Sequence, residues 1–188
     1  MKMLKKQWYK LVVAMVFVTT LVACGGMGKK HAAMENATDS LEIYEVHHDG
    51  RIHVFYDKKL YREFLALGET PFRLTHIGAG PNGETVVYGL TKQDKKKPES
   101  VAALQVYEGK TPAPANFYGE LRNHGRIYVF SDLQDMSPVR RFGHPNFFFT
   151  EIGAGPKGET VVYVLNKKTK KKRPDALIAQ FKQANKVM

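Results

Sequence analysis

The chain repeats itself at a constant offset of 75 residues, and that periodicity restricts its possible folds more than any other property. Gly50-Arg51-Ile52 returns as Gly125-Arg126-Ile127, Val54-Phe55 as Val129-Phe130, and Asp57 as Asp132. Ile77-Gly78-Ala79-Gly80-Pro81 returns as Ile152-Gly153-Ala154-Gly155-Pro156, and Gly83-Glu84-Thr85-Val86-Val87-Tyr88 as Gly158-Glu159-Thr160-Val161-Val162-Tyr163. Both stretches close on lysines, Lys95-Lys96-Lys97 and Lys170-Lys171-Lys172, and no gap is needed between Glu45 and Lys97. Such self-similarity marks one supersecondary unit used twice. The expected fold class is α+β, a tandem duplication in which each unit is mostly antiparallel β-hairpins with one or two short helices. A unit of ~65 residues is marginal alone, so the two copies are expected to pack together. The expected boundaries are 41–109 and 117–188, with the Pro-containing stretch 110–116 as linker.

Within the first unit, 42–46 and 52–56 flank His48-Asp49-Gly50. Asp-Gly suits a type I′ hairpin turn, whose two central residues need positive φ. His124-Gly125 stands in the equivalent place, and His tolerates the left-handed region better than most residues. Asp57 is placed to cap a helix over 58–67, with Leu60, Phe64 and Leu67 on one face and Gly68 as the stop. The second unit keeps Asp132 and Gly143 but inserts Pro138, which predicts a shorter or irregular helix. A second hairpin is expected over 72–77 and 85–90, and short helices over 99–108 and 175–184.

Gly78-Ala79-Gly80-Pro81-Asn82-Gly83 spells G-x-G-x-x-G and resembles the start of a flavin-binding Rossmann domain. A dinucleotide site needs a helix after those glycines, whereas Glu84-Thr85-Val86-Val87-Tyr88 is β-branched and aromatic. The motif therefore reads as a hairpin turn, with Pro at the first corner and Gly in the left-handed bulge, and no cofactor is expected. A Gly-rich turn also offers backbone N–H groups to an anion, although Glu84 and Glu159 beside it oppose that use.

Candidate chemistry is sparse. Histidines gather in the first unit, and His47, His53 and His76 are the candidates for a copper or zinc site; extracytoplasmic binding of a metal or small ligand through these histidines is the second choice of function. Adjacent His47 and His48 point to opposite strand faces, and the equivalents in the second unit are Arg122, Asn123, Tyr128 and Glu151. Polar positions shared by both units are Glu45/Glu120, Arg51/Arg126, Asp57/Asp132, Thr75/Thr150 and Glu84/Glu159. Cross-strand ion pairing and capping account for them. No G-x-S-x-G elbow occurs, and an uncharacterised hydrolase is only the third choice of function. The lysine runs Lys95, Lys96, Lys97 and Lys170, Lys171, Lys172 are either solvated loops or paired basic patches for an anionic surface.

The N-terminus carries an address. Lys2, Lys5, Lys6 and Lys10 precede a short apolar run that ends in Leu21-Val22-Ala23-Cys24, and no acid occurs before Glu35. That run is shorter than the ~20 apolar residues of a spanning helix. Residues 1–25 resemble a bacterial lipoprotein precursor, a signal peptide over 1–23 followed by the lipobox cysteine. The resemblance implies that Cys24 is lipidated and becomes the mature N-terminus, and that Gly25 after it favours outer-membrane sorting. Residues 24–40 then read as a flexible tether. Cys24 is the only cysteine, so a lipidated chain keeps no thiol for a disulfide or nucleophile. Removing the signal takes four of the 29 Lys and Arg and none of the 18 acids, which leaves a net charge of +7. The expected protein is a lipid-anchored, non-enzymatic envelope component facing the periplasm or the cell surface. Its expected partners are the membrane and anionic lipid, lipopolysaccharide or cell-wall polymer, not nucleic acid.

Overall fold

A computed structural model describes residues 40–187. The expected signal peptide, Cys24 and nearly all of the expected tether lie outside the described residues. These residues form one compact unit, a mixed α/β fold with one eight-stranded sheet and four helices among the described residues. No helix among them is long and apolar enough to cross a membrane.

Strand β1 (Ser40–His48) turns through Asp49-Gly50 into β2 (Arg51–Phe55). Both turn residues have positive φ, +50° and +68°, as a type I′ hairpin requires. Helix α1 (Lys58–Leu67) follows. Asp57 caps it by accepting the Leu60 N–H at 2.9 Å, and left-handed Gly68 closes it by donating to the Phe64 carbonyl at 2.8 Å. Strands β3 (Arg73–His76) and β4 (Thr85–Gly89) form the second hairpin. Helix α2 (Ala102–Tyr107) begins later than the expected 99, because a 3₁₀ turn at Pro98–Ser100 precedes it.

The chain then repeats this order of elements. β5 (Asn116–Asn123) and β6 (Arg126–Phe130) form a hairpin through His124-Gly125, φ +48° and +73°. Helix α3 (Met136–Phe142) is three residues shorter than α1. Asp132 caps a separate 3₁₀ turn, Leu133–Asp135, and Pro138 is held to the first helical turn, where no backbone donor is lost. β7 (Phe147–Glu151), β8 (Thr160–Leu165) and α4 (Asp175–Asn185) complete the fold.

The sheet order is β3-β4-β2-β1-β5-β6-β8-β7. Four antiparallel hairpins are joined by three parallel contacts, β2–β4, β6–β8 and the central β1–β5. The parallel joints are what a picture of mostly antiparallel units lacks. Through the β1–β5 joint the two halves share one sheet rather than meeting as separate bodies.

Side chains alternate across the strands, so each face has its own core. On one face Ile43, Val54, Val86, Leu121 and Phe130 pack with Leu104 of α2 and Met136 and Val139 of α3. On the other, Tyr44, Phe55, Val129 and Tyr163 pack with Phe64 of α1 and Leu177 and Phe181 of α4. Each face thus carries one helix from either side of the linker. Equivalent strand positions in the two halves fall on opposite faces: Ile43 and Glu45 lie with α2, whereas Tyr118 and Glu120 lie with α1.

The glycine-rich motif is a hairpin turn. The Gly83 N–H bonds the Gly80 carbonyl at 3.1 Å, Gly83 has φ +86°, and a strand follows instead of a helix. The Glu84 carboxylate folds back to accept the Asn82 N–H at 2.9 Å, and Glu159 does the same to the Lys157 N–H at 2.7 Å. The turn's own glutamate therefore occupies the position an exogenous anion would need. A Cβ at Gly80 would lie 2.4 Å from the Glu84 carboxylate, and one at Gly155 2.5 Å from that of Glu159. Gly80→Ala and Gly155→Ala should each cost about 1–3 kcal/mol in chemical denaturation, because the blocking atoms include the glutamate's backbone oxygen.

Candidate functional site

The two shared glutamates, Glu45 and Glu120, are the buried charged residues of the described chain, at 0% and 1% exposure. The cross-strand ion pairing expected of these positions is not what holds them: Glu45 pairs with Arg140 of a helix, and Glu120 is held by neutral donors, two of them on helices. Glu45 sits within Ile43-Tyr44-Glu45-Val46 and Glu120 within Tyr118-Gly119-Glu120-Leu121, central strands covered by helices on both faces. A strand buried on both sides has no solvent face on which to place a charge. That near-continuous apolar flanking was the available sequence signal.

Glu45 accepts from the Tyr107 hydroxyl of α2 at 2.8 Å and from Arg140 Nε of α3 at 2.7 Å, and His47 Nε2 lies 2.7 Å away. Glu120 accepts from the Tyr61 hydroxyl of α1 at 2.9 Å, Tyr118 at 2.6 Å and Asn185 of α4 at 2.7 Å. Each carboxylate thus ties together the two helices on its face. Burial alone would raise the pKa of Glu45, but Arg140, His47 and Tyr107 outweigh it and hold the carboxyl below its ordinary range. Nothing in the sequence marks Arg140, Tyr107 or Tyr61, since their equivalents are Leu65, Lys182 and Met136 and each contact is long-range.

The two faces differ beside these carboxylates. On the Glu120 face, Arg122 spans from the Tyr61 hydroxyl, 2.6 Å from Nε, to Glu159, 2.7 Å from Nη1. On the Glu45 face the equivalent strand residue is the shorter His47, and Glu84 takes the N–H and amide of Asn82 instead of an arginine. Two open hollows of about 460 and 500 Å³ remain there and meet at Arg140 and Arg141.

The three candidate metal ligands do not converge. His47 lies on Glu45, and His76 lies on the same face, 3.1 Å from Glu108 and 3.5 Å from Glu99. His53 is on the opposite face, its ring 4.4 Å from that of Phe64. No group of three or more His, Cys, Asp or Glu able to hold a metal ion occurs among the described residues. Burial, with the nearby charges of His48 and Arg51, lowers the pKa of His53 to about 4.

All six candidate lysines are exposed. Lys95 lies over the Phe72 ring at 4.9 Å and Lys170 over the Phe147 ring at 4.1 Å, one such contact in each half at equivalent positions. The strand directions place both runs relative to the sheet. β4 is parallel to β2, which opposes β1, so β4 ends where β1 begins. β8 is parallel to β6, which opposes β5, and β5 is parallel to β1, so β8 ends there too. The lysines follow β4 and β8, and the chain enters β1 between them at Ser40. The two runs stand five strands apart, roughly 24 Å along the sheet.

Comparison with protein-family models, with curated proteins and with solved structures finds no match.

Two outcomes are expected from these contacts. Arg140→Met leaves Glu45 buried without its cation and should cost about 3–5 kcal/mol in urea, while Glu45→Leu combined with Arg140→Met should recover most of that loss. For His53, the unfolded side chain binds a proton below pH 6.5 and the folded one only near pH 4, so stability should fall as pH drops between these values. His53→Phe should flatten that part of a stability–pH curve.

Proposed function

We propose that the protein is a lipid-anchored, non-catalytic component of the bacterial envelope, built from two copies of one unit. In this reading Cys24 carries the lipid and residues 1–23 are its signal peptide. The lysine loops hold the folded unit against an anionic surface, such as lipid headgroup, lipopolysaccharide or cell-wall polymer. The outer membrane, facing the periplasm or the cell surface, is the proposed location. The duplication is supported by the 75-residue sequence offset together with the same order of elements and the same cation–ring contact in both halves.

The observation that carries the surface contact is topological. Both lysine runs and the entry of the N-terminal segment lie at one end of the sheet, so a chain anchored through Cys24 would meet its membrane with that end. The sheet's twist, roughly 20–25° per strand, splays β4 and β8 to either side of the β1–β5 pair but leaves both runs on the entry side. A lysine near an anionic bilayer contributes about 1 kcal/mol. Lys96, Lys97, Lys171 and Lys172 make no ion pair among the described residues, while Lys95 and Lys170 are already engaged with rings. The group is sufficient to orient a lipidated protein and too weak to replace its anchor.

Two measurements test this. Cys24→Ser should appear folded in the soluble fraction, and protein that stays membrane-bound and unprocessed would overturn the anchor. The same soluble protein should bind phosphatidylglycerol vesicles in a salt-sensitive way. Changing all six lysines to Gln should weaken that binding by at least about tenfold, with the near-UV circular dichroism unchanged.

A further inference from the structure

The charged groups bordering the two hollows at Arg140 are unequally satisfied. Glu45 has three partners, Glu84 holds the N–H and amide of Asn82, and Asp49 lies 3.3 Å from His48. Glu108 accepts the Tyr88 hydroxyl at 3.0 Å and lies against His76 and Lys110. Every carboxylate at the rim is therefore engaged. The guanidinium groups are not. Arg51 and Arg141 make no ion pair among the described residues, and Arg140 spends only Nε on Glu45. Its Nη2 reaches nothing better than Met136 Sδ at 3.6 Å, and its Nη1 makes no hydrogen bond among the described residues.

Arg140 is also held still. Glu45 fixes Nε, and the Tyr107 ring lies 4.2 Å from the guanidinium carbon. The open end of the fork therefore stands in one orientation where the hollows meet, and only 14% of the side chain is exposed. A planar guanidinium with Nη1 unused, Nη2 held only by a thioether sulfur and its plane fixed is preorganised for two parallel hydrogen bonds to an oxyanion. The opposite face offers no such fork, because Arg122 is used by both Tyr61 and Glu159.

We propose that the paired hollows bind a small organic oxyanion, a carboxylate or a phosphate ester, with Arg140 as the fork and Arg141 as a second cation. The hollows, about 460 and 500 Å³, fall in the ~300–1,000 Å³ range of small-molecule sites, so the ligand carries more than its anionic group. The Ser137 hydroxyl on one side and the Asn82 Oδ1 on the other, its amide nitrogen being held by Glu84 and the Arg140 carbonyl, supply partners for its neutral polar atoms. This site lies on the Arg140 side of the sheet and is independent of the lysine loops.

Inorganic phosphate and succinate are the probes, titrated calorimetrically into the purified full chain at ionic strength held constant with potassium chloride. Saturable one-to-one binding of at least one probe is expected, and the preferred probe tells a phosphate ester from a carboxylate. Arg140→Lys keeps a cation beside Glu45 but removes the fork, and should weaken binding about tenfold. Ser137→Trp and Asn82→Trp each fill one hollow from an exposed position, and at least one should abolish binding. These two variants decide the matter if Arg140→Lys does not fold. The proposal is overturned if neither probe saturates by roughly 10 mM, or if binding is unchanged in both tryptophan variants and in a folded Arg140→Lys.

Discussion

The parallel pairing of β1 with β5 is the contact on which the rest of the fold depends. It runs from Ser40↔Asn116 to Val46↔Arg122 and turns two four-stranded pieces into one sheet. It also decides which helices share a face. The register matches Tyr44 with Glu120 and Glu45 with Leu121, one residue out of step with the 75-residue repeat, so equivalent residues face opposite sides, and α2 meets α3 on one side and α1 meets α4 on the other. Arg62 of α1 donates to the Ala184 carbonyl of α4 at 2.8 Å, and Arg140 of α3 stacks on Tyr107 of α2. Without the central pair each piece would keep its hairpins but expose half of two cores, an unfavourable balance for so short a segment.

The same pairing puts two carboxylates in the middle of the molecule. A buried carboxylate is costly unless hydrogen bonds or a counter-charge replace water. Glu45 uses a cation and a tyrosine, whereas Glu120 uses two tyrosines and an amide, with Arg122 one hydroxyl further out. Both solutions require the helices of their face to stand at particular places along the strands. Apolar packing tolerates a sliding helix far better than a hydrogen-bonded carboxylate does. The glutamates thus act as positional constraints on a core that hydrophobic contact alone would define less sharply.

Local chemistry was legible in the sequence, and long-range pairing was not. Asp49-Gly50, the Asp57 cap with the Gly68 stop, and the Pro81-Asn82-Gly83 turn each depend on neighbours a few residues away, and each forms as expected. The absence of a helix after Gly83 was legible for the same reason. The parallel joints β2–β4 and β1–β5 depend on segments far apart in the chain, and hairpin patterns carry no information about them. The site shows the same divide. Glu45 and Glu120 were visible as shared residues, but their burial follows from helices on both faces, and Arg140 has no sequence mark because Leu65 stands at its equivalent position. The histidines formed a cluster along the chain only, since alternation and strand order send His53 to the other face from His47 and His76.

The entry of the chain at Ser40, into a strand bonded on both sides, has a mechanical consequence. Tension passed along the preceding segment would pull β1 lengthwise between β2 and β5. The hydrogen bonds of both ladders lie across that direction, so they are loaded together in shear and cannot open one at a time. Resistance to such a pull is governed by the barrier to unfolding and not by equilibrium stability. A strand at the sheet's edge, such as β3 or β7, would offer only one ladder to the same force.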